Sequence, residues 1–378
     1  MPGAHAELGR QEILLWLREE DPERLEILWD LADRVRREHV GDQVHLRGLI
    51  EFSNYCVRAC AYCGIRAENR GLVRYRMSGD EIVAAAADAA RLGYGTVVLQ
   101  SGEDPFYDGP GIASIVRRIK EATGLAVTLS LGERSEQDLT LWRAAGADRY
   151  LLRFETSNRR LYDAIHPARR PGSESDRFRI LRALRAIGYE VGSGVMVGIP
   201  GQTWEDLADD LLAFRDLDLD MIGVGPYVPH PDTPLASAAG AAGGVPHTPE
   251  ATYRVIALAR LLCPDANIPS TTALATLDPA EGRERGLRRG ANVLMPNVTP
   301  MRYRRLYEIY PEKACLSETP SDARASELPT SGRSVEGRIR AIGRVVGAGP
   351  GGSANARKRS PQACAAPQAS PRRPRRIP

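Results

Sequence analysis

Cysteine is scarce in this chain, with six among 378 residues, and only one group of thiols is close in sequence. Cys56, Cys60 and Cys63 follow the apolar segment 49–53, and no fourth cysteine lies nearby. A zinc site would need a fourth Cys or His at paired spacing, and a disulfide is not expected in a chain without secretory features. Three thiolates on one loop instead suit three irons of a [4Fe-4S] cluster, which leaves the fourth iron open to an outside ligand.

Several other features are missing. No apolar run approaches the eighteen or so residues of a membrane span, and residues 1–7 lack the basic and apolar regions of an export signal. We therefore expect a cytoplasmic protein without a membrane partner. Residues 354–378 contain seven Lys and Arg and no acid, so the rest of the chain is mildly acidic despite the net charge of +3. Such a body gives no reason to expect nucleic acid as a partner.

From His45 onward, short apolar runs alternate with amphipathic helical stretches, and the alternation occurs eight times. This pattern predicts an α/β fold, a (β/α)8 TIM-type barrel whose chemistry lies on the loops after the strand ends. Residues 1–43 are predicted as N-terminal helices, 44–316 as the barrel, and 317–378 as an irregular, largely disordered tail. The predicted strands are 45–53, 96–101, 126–131, 149–154, 191–197, 221–228, 267–273 and 292–296.

The loops after strands two and three carry polar groups. Gln100, Ser101 and Gly102 follow strand two, where a glycine permits close approach of the backbone to a ligand and oxygen atoms can accept bonds from an ammonium group. An ordinary turn would look the same. On strand three, alternation places Thr128 and Ser130 on one face, and inward hydroxyls among aliphatic side chains need polar partners.

Strand four ends with Arg153 and Glu155, which alternation points together into the barrel. They form either a self-contained ion pair or a site in which Arg153 holds an anionic substrate group. Arg177, on the following helix, can bind a carboxylate through its planar fork. His166, beside a proline, more often caps a helix than acts as a base.

The spacing Cys56-x3-Cys60-x2-Cys63, with the aromatic Tyr62 before the last cysteine, is that of radical S-adenosylmethionine (SAM) enzymes. Over residues 45–316 the chain further resembles the HydE family, the radical SAM maturases of [FeFe]-hydrogenase. The segments that carry this resemblance are 50–56, 63–66, 74–77, 98–105, 149–156, 196–203 and 229–234.

The resemblance implies a [4Fe-4S] cluster and SAM as cofactors, with SAM cleaved reductively to a 5′-deoxyadenosyl radical. The radical would act on a cysteine-bound Fe(CO)2(CN) precursor of the diiron subcluster of the hydrogenase. The resemblance implies that the cluster ligands are Cys56, Cys60 and Cys63. The implied SAM contacts are Tyr62, Gln100, Ser101, Gly102, Glu155, Arg177 and Met221. The implied substrate contacts are Thr128, Ser130, Arg153, Thr271, Thr272 and Tyr303.

The same resemblance implies the partner maturases HydG and HydF and an electron donor such as ferredoxin or flavodoxin. Some HydE proteins carry a second cluster on C-terminal cysteines, but Cys315 has no companion thiol, so we expect no second cluster here. Cys263 and Cys364 are not expected to be ligands either.

Two alternatives stay open. Another enzyme of the same architecture, methylornithine synthase or biotin synthase, would share the cluster and SAM loops, although biotin synthase needs further cysteines inside the barrel. A non-catalytic iron-sulfur carrier would not need Glu155 and Arg177 to face the open iron.

Overall fold

The computed structural model describes residues 8–168, 174–238, 244–315 and 334–359. The strands are β1 (Gln43–Ser53), β2 (Thr96–Ser101), β3 (Ala126–Ser130), β4 (Arg149–Leu151), β5 (Glu190–Val197), β6 (Met221–Pro226), β7 (Val293–Leu294) and β8 (Val345–Val346). The helices before β5 are α1 (Arg10–Leu17), α2 (Pro22–Val40), α3 (Gly79–Arg91), α4 (Gly109–Thr123), α5 (Glu136–Ala144), α6 (Arg159–Ile165) and α7 (Arg177–Ile187). The later helices are α8 (Trp204–Asp216), α9 (Pro249–Leu262), α10 (Thr272–Leu277), α11 (Gly282–Arg288), α12 (Met301–Arg304), α13 (Val335–Ala341) and α14 (Ala354–Arg359).

The strands form a parallel sheet in the order β6-β5-β4-β3-β2-β1-β7, so neighbours in sequence are neighbours in space from β1 to β6. Isolated parallel bridges, Met221 to Asn267 and Pro269 to Val293, continue the sheet from β6 to β7. Because β7 also pairs with β1, the ring closes into a barrel. The predicted fold class is confirmed, although the predicted strand at 267–273 is reduced to these two bridges.

Side chains alternate between the outer helical layer and the barrel lumen. On β3, Val127 and Leu129 belong to the large apolar core under the helices. Thr128 and Ser130 lie outside that core cluster, and the period of two places them on the lumen face. The helices obey local signals: Asp21 caps α2 ahead of Pro22, and Gly124 ends α4 in the left-handed conformation.

The C-terminal segment 345–353 closes the base of the barrel, the end at which the strands begin. β8 pairs with the start of β1. The carbonyl oxygen of Pro350 then accepts hydrogen bonds from Thr96 and Arg149, at 2.8 and 3.0 Å, and that of Gly351 accepts one from Arg47 at 3.2 Å. Within the tail predicted as irregular and largely disordered, residues 334–359 are thus folded against the barrel. Residues 317–333 and 360–378 lie outside the described residues.

The N-terminal helices pack on the side of the barrel, where α2 contacts α9 and α1 contacts α8. None of the helices in the described ranges is long and apolar enough to cross a membrane. The division of the chain at residues 43 and 316 stays a prediction.

Candidate active site

The three-cysteine loop follows β1 and is fixed at both ends by backbone contacts. Arg74 donates hydrogen bonds to four carbonyl oxygens along this loop, those of Asn54, Ile65, Arg66 and Asn69, at 2.5 to 3.0 Å. The amide of Ala61 donates to the carbonyl of Ile165 at the end of α6, at 2.8 Å. These contacts define the shape of the loop.

Gly102, predicted as a point of close approach, lies directly against this loop. A Cβ atom added at Gly102 would lie 2.2 Å from the carbonyl oxygen of Tyr55 and 2.7 Å from Cβ of Cys56. No side chain larger than hydrogen fits there. The neighbouring Ser101 hydroxyl donates to the carbonyl of Gly102 at 2.7 Å, and the Gln100 amide donates to the Tyr307 hydroxyl at 3.4 Å.

The three thiols are held out of water and close enough to influence one another. Burial raises the pKa of Cys63 to about 12, and it also raises those of Cys56 and Cys60. Charge on Cys56 and Cys63 raises the pKa of Cys60 further. As free thiolates these groups are unfavourable here, so the loop is suited to a metal that replaces their protons.

A chain of side chains links the thiol loop to the end of β4. The Cys60 sulfur lies 3.1 Å from Nδ1 of His166, and Nε2 of the same ring lies 2.8 Å from the Tyr62 hydroxyl. That hydroxyl is also 3.4 Å from Oε1 of Glu155. His166 is 3% exposed, and burial lowers its pKa well below the ordinary value, with help from Arg177 and Arg58. His166 is also the C-cap of α6, as its place beside a proline suggested.

Glu155 and Arg153 meet as predicted, but their pairing is incomplete. Oε2 of Glu155 lies 3.0 Å from a guanidinium nitrogen of Arg153, yet it accepts no hydrogen bond, because that nitrogen is directed at the carbonyl of Val195, 2.5 Å away. Glu155 has φ of +64°, which is rare outside glycine. Such strain is typical of functional positions, and a buried carboxylate oxygen without a donor leaves a place for a ligand.

Arg177 is buried beside these groups, where it binds Glu133 at 3.0 Å and the carbonyl of Arg153 at 2.5 Å. Arg58, from the thiol loop, lies 3.6 Å from Glu133 and 3.9 Å from Glu103. Although burial opposes it, Arg177 lowers the pKa of Glu133. The sequence carries no local signal for this network, because Glu103 and Glu133 lie on loops that follow different strands.

A second group that sequence analysis missed lines the opposite wall of the lumen. The Lys313 ammonium binds Glu51 at 2.5 Å and lies 4.9 Å from the centre of the Tyr307 ring. Asn297 donates to the other oxygen of Glu51 at 2.8 Å. Cys315 is near, with its sulfur 3.7 Å from the Asn297 amide. The segment after α12 thus folds back over the barrel.

Met221 is the first residue of β6, and its sulfur lies 2.9 Å from the guanidinium of Arg47. It pairs with Gly192 of β5, three residues before Val195, which forms a bridge with Glu155. The contact of Met221 with SAM stays a prediction.

The remaining predicted residues lie at the mouth of the barrel. Thr271 caps α10, and its hydroxyl would be 3.3 Å from a Cβ added at Gly225, on the lumen face of β6. Thr272 is the next residue. Tyr303 stacks on Tyr75 and donates its hydroxyl to Glu81 of α3 at 2.8 Å, so it faces the outer helices and not the lumen. The contact of Tyr303 with the substrate stays a prediction.

The residues present fit the two cofactors. Among the described residues, no three His, Cys, Asp or Glu side chains converge on a single metal ion. This agrees with a cluster, because three thiolates that each bind a different iron are farther apart than three ligands of one ion. Gly102 packs the loop after β2 directly against the thiol loop, and Oε2 of Glu155, which accepts no hydrogen bond, offers an acceptor. Thr128 adds a buried hydroxyl without a hydrogen-bond partner, as expected for a lumen that receives a polar ligand.

Comparison with known proteins agrees with this site. The radical SAM superfamily profile matches residues 50–214. The [FeFe] hydrogenase maturase subunit HydE of Thermotoga maritima is 51% identical over 293 residues, which are 78% of this chain and 81% of that protein. The 3-methylornithine synthase of Methanosarcina acetivorans is 27% identical and covers 90% of this chain and 88% of its own.

Among solved structures, that of methylornithine synthase (PylB) aligns with a TM-score of 0.74 and 26% identity, covering 90% of this chain and 94% of its own. The identity to HydE is far higher over most of both chains. This chain therefore belongs to the HydE family of radical SAM enzymes, whose cofactors are a [4Fe-4S] cluster and SAM.

Proposed function

We propose that this chain is a maturase of [FeFe]-hydrogenase that acts on a cysteine-bound Fe(CO)2(CN) precursor of the diiron subcluster. The 51% identity to the HydE of T. maritima supports the maturation role. The observation that carries the reaction class is the line of contacts from Cys60 through His166 and Tyr62 to Glu155. When bound, the cluster supplies the electron that cleaves SAM to methionine and a 5′-deoxyadenosyl radical.

The chain's own residues hold these groups in place. Cys56, Cys60 and Cys63 would bind three irons of the cluster and leave the fourth open to SAM. Gln100, Ser101 and Gly102 would receive the amino group of SAM through their oxygen atoms, and Gly102 packs this loop directly against the thiol loop. The other proposed SAM contacts are Tyr62, Glu155, Arg177 and Met221.

Arg153 anchors the substrate. Its guanidinium projects from β4 on the lumen face with about a third of the side chain exposed, and its Nε has no hydrogen-bond partner. The substrate carries a carboxylate and a net negative charge, which a guanidinium binds through charge-assisted hydrogen bonds. Thr128 and Ser130 lie nearby on β3, and Thr271 and Thr272 line the mouth.

The proposed reaction also implies partners. HydG is proposed to supply the iron precursor and HydF to receive the product, with a ferredoxin or flavodoxin as electron donor. Each is an expectation from the family.

The test compares three proteins made anaerobically: wild type, Arg153→Met, and Arg118→Met as the control. Arg118 lies on α4 and pairs with Asp80 at the surface, 2.6 Å away. Methionine roughly keeps the volume and removes the charge. Arg153→Met should retain slow SAM cleavage without substrate but lose at least 90% of hydrogenase maturation. The control should keep both.

Normal maturation by Arg153→Met would refute the assignment of the anchor. The overall resemblance to methylornithine synthase favours the second candidate function. Conversion of lysine to 3-methylornithine by the wild type would establish that function instead, and cluster binding without any SAM cleavage would favour the iron-sulfur carrier.

A further inference from the structure

His166 occupies a position between the thiol loop and the residues proposed to bind SAM. Its ring is buried, with Nδ1 3.1 Å from the sulfur of Cys60 and Nε2 2.8 Å from the Tyr62 hydroxyl. The ring stacks on Tyr162 at 5.0 Å between centroids and 15° between planes. Both ring nitrogens and one ring face are thus engaged, so its orientation is fixed.

The backbone on both sides reinforces this position. The carbonyl of Ile165, the residue before His166, accepts a hydrogen bond from Ala61, the residue after Cys60. The amide of His166 donates to the carbonyl of Tyr162 at 2.7 Å. These backbone hydrogen bonds join the end of α6 to the middle of the thiol loop. They hold the His166 ring near the Cys60 sulfur in addition to the side-chain contacts.

The partners decide which nitrogen carries the hydrogen. A neutral imidazole has one donor and one acceptor nitrogen. A cysteine bound to iron is a thiolate, which can only accept, so Nδ1 is the donor toward Cys60 at 3.1 Å. The Arg177 guanidinium, which can only donate, lies 3.5 Å from the same nitrogen and is too far for a strong hydrogen bond to it. Nε2 is then the acceptor for the Tyr62 hydroxyl, whose distance of 2.8 Å to His166 is shorter than its 3.4 Å to Glu155.

We propose that His166 is a positioning residue that donates a hydrogen bond to the Cys60 ligand sulfur and thereby raises the reduction potential of the cluster. This rests on the proposed function, in which Cys60 binds the cluster. A donor to a ligand sulfur stabilises the reduced cluster more than the oxidised one, because reduction adds negative charge to the sulfurs. The same ring fixes the Tyr62 hydroxyl, so it couples the positions of the cluster ligand and the residue facing SAM.

Two substitutions separate the two contacts. In His166→Asn the side-chain amide nitrogen can replace Nδ1 and keep the bond to Cys60, whereas the contact with Tyr62 is lost. In His166→Gln the longer side chain can replace Nε2 and keep the contact with Tyr62, whereas the bond to Cys60 is lost. His39→Gln is the control, since His39 contacts Asp265 at 3.2 Å away from the thiol loop.

The measurement is the midpoint potential of the full-length, reconstituted protein, titrated anaerobically with mediators and followed by EPR. His166→Gln should lower the equilibrium constant for reduction by about tenfold, which is about 59 mV for one electron. His166→Asn and His39→Gln should titrate close to wild type. A wild-type potential in His166→Gln, at equal iron content, would overturn the inference.

A second measurement needs no variant and so covers the case in which His166→Gln fails to fold. Wild-type protein labelled with 15N-histidine should show a weak 15N coupling to the reduced cluster in pulsed EPR, carried through the hydrogen bond to Cys60. A spectrum without that coupling also overturns the inference. Wild-type protein that shows no [4Fe-4S] signal at all overturns the proposed function, and the role of His166 with it.

Discussion

The substitution Gly102→Ala tests how closely the loop after β2 must approach the thiol loop. The added Cβ would lie 2.2 Å from the carbonyl oxygen of Tyr55 and 2.7 Å from Cβ of Cys56, where carbon atoms in contact normally lie about 3.5 to 4.0 Å apart. One of the two loops must therefore move by about 1 Å. Overpacking of this kind typically costs about 1 to 3 kcal/mol, and here the displacement falls on a cluster ligand.

We expect two effects of Gly102→Ala, a lower midpoint of urea unfolding for the apoprotein and less iron bound after anaerobic reconstitution. The iron content should fall by half or more, because a rigid cubane cannot follow a ligand displaced by about 1 Å. The matched control is Gly71→Ala, where the nearest atom to an added Cβ is Oδ1 of Asn69 at 3.6 Å. Wild-type iron content and stability in Gly102→Ala would refute the close approach.

Two further predictions concern stability. Deleting residues 345–378 removes carbonyl oxygens that bind the buried guanidinium groups of Arg47 and Arg149. The deletion should lower the free energy of unfolding in urea by about 3 to 5 kcal/mol, and a wild-type midpoint would contradict the role of the C-terminal segment. Burial raises the pKa of Asp210 from 3.8 to about 7. Between about pH 4 and pH 7 the folded state therefore holds a proton that the unfolded state has lost, so the free energy of unfolding falls as pH rises through this range. Asp210→Asn should therefore gain on the order of a few kcal/mol relative to wild type at pH 8 and little at pH 4, and a pH-independent difference would contradict the raised pKa.

The parts of the fold that could be predicted are those with local signals. The eightfold alternation, the helix caps and the thiol spacing each depend on residues close in sequence. The same holds for Gly102 and for the lumen face of Thr128, Arg153 and Glu155, because a strand has a period of two.

The parts that could not be predicted depend on distant partners. The Gly- and Pro-rich segment 345–353 has no local preference for order, and it is held by Arg47 and Arg149 from strands far away in sequence. Glu51 and Lys313 are 262 residues apart.

The lumen contains the side chains of Arg47 from β1, Arg149 from β4 and Arg153 from the segment after β4, and their surroundings distinguish their roles. Arg149 is satisfied by Glu190 at 2.8 Å, by Thr96 and by Pro350, and Arg47 is buried against Met221 and Gly351 at the base. Arg47 and Arg149 lie at the base of the barrel, which the C-terminal segment closes. A ligand that enters at the mouth therefore cannot reach them.

Arg153 differs in both respects. Its side chain is 31% exposed, its Nε has no partner, and the carboxylate beside it accepts no hydrogen bond from it. A negatively charged substrate can therefore reach the Arg153 side chain, whereas Arg149 is 2% exposed and could bind a substrate only by breaking its contacts with Glu190, Thr96 and Pro350. This difference in exposure is why we propose Arg153, and not Arg149, as the residue that selects an anionic substrate.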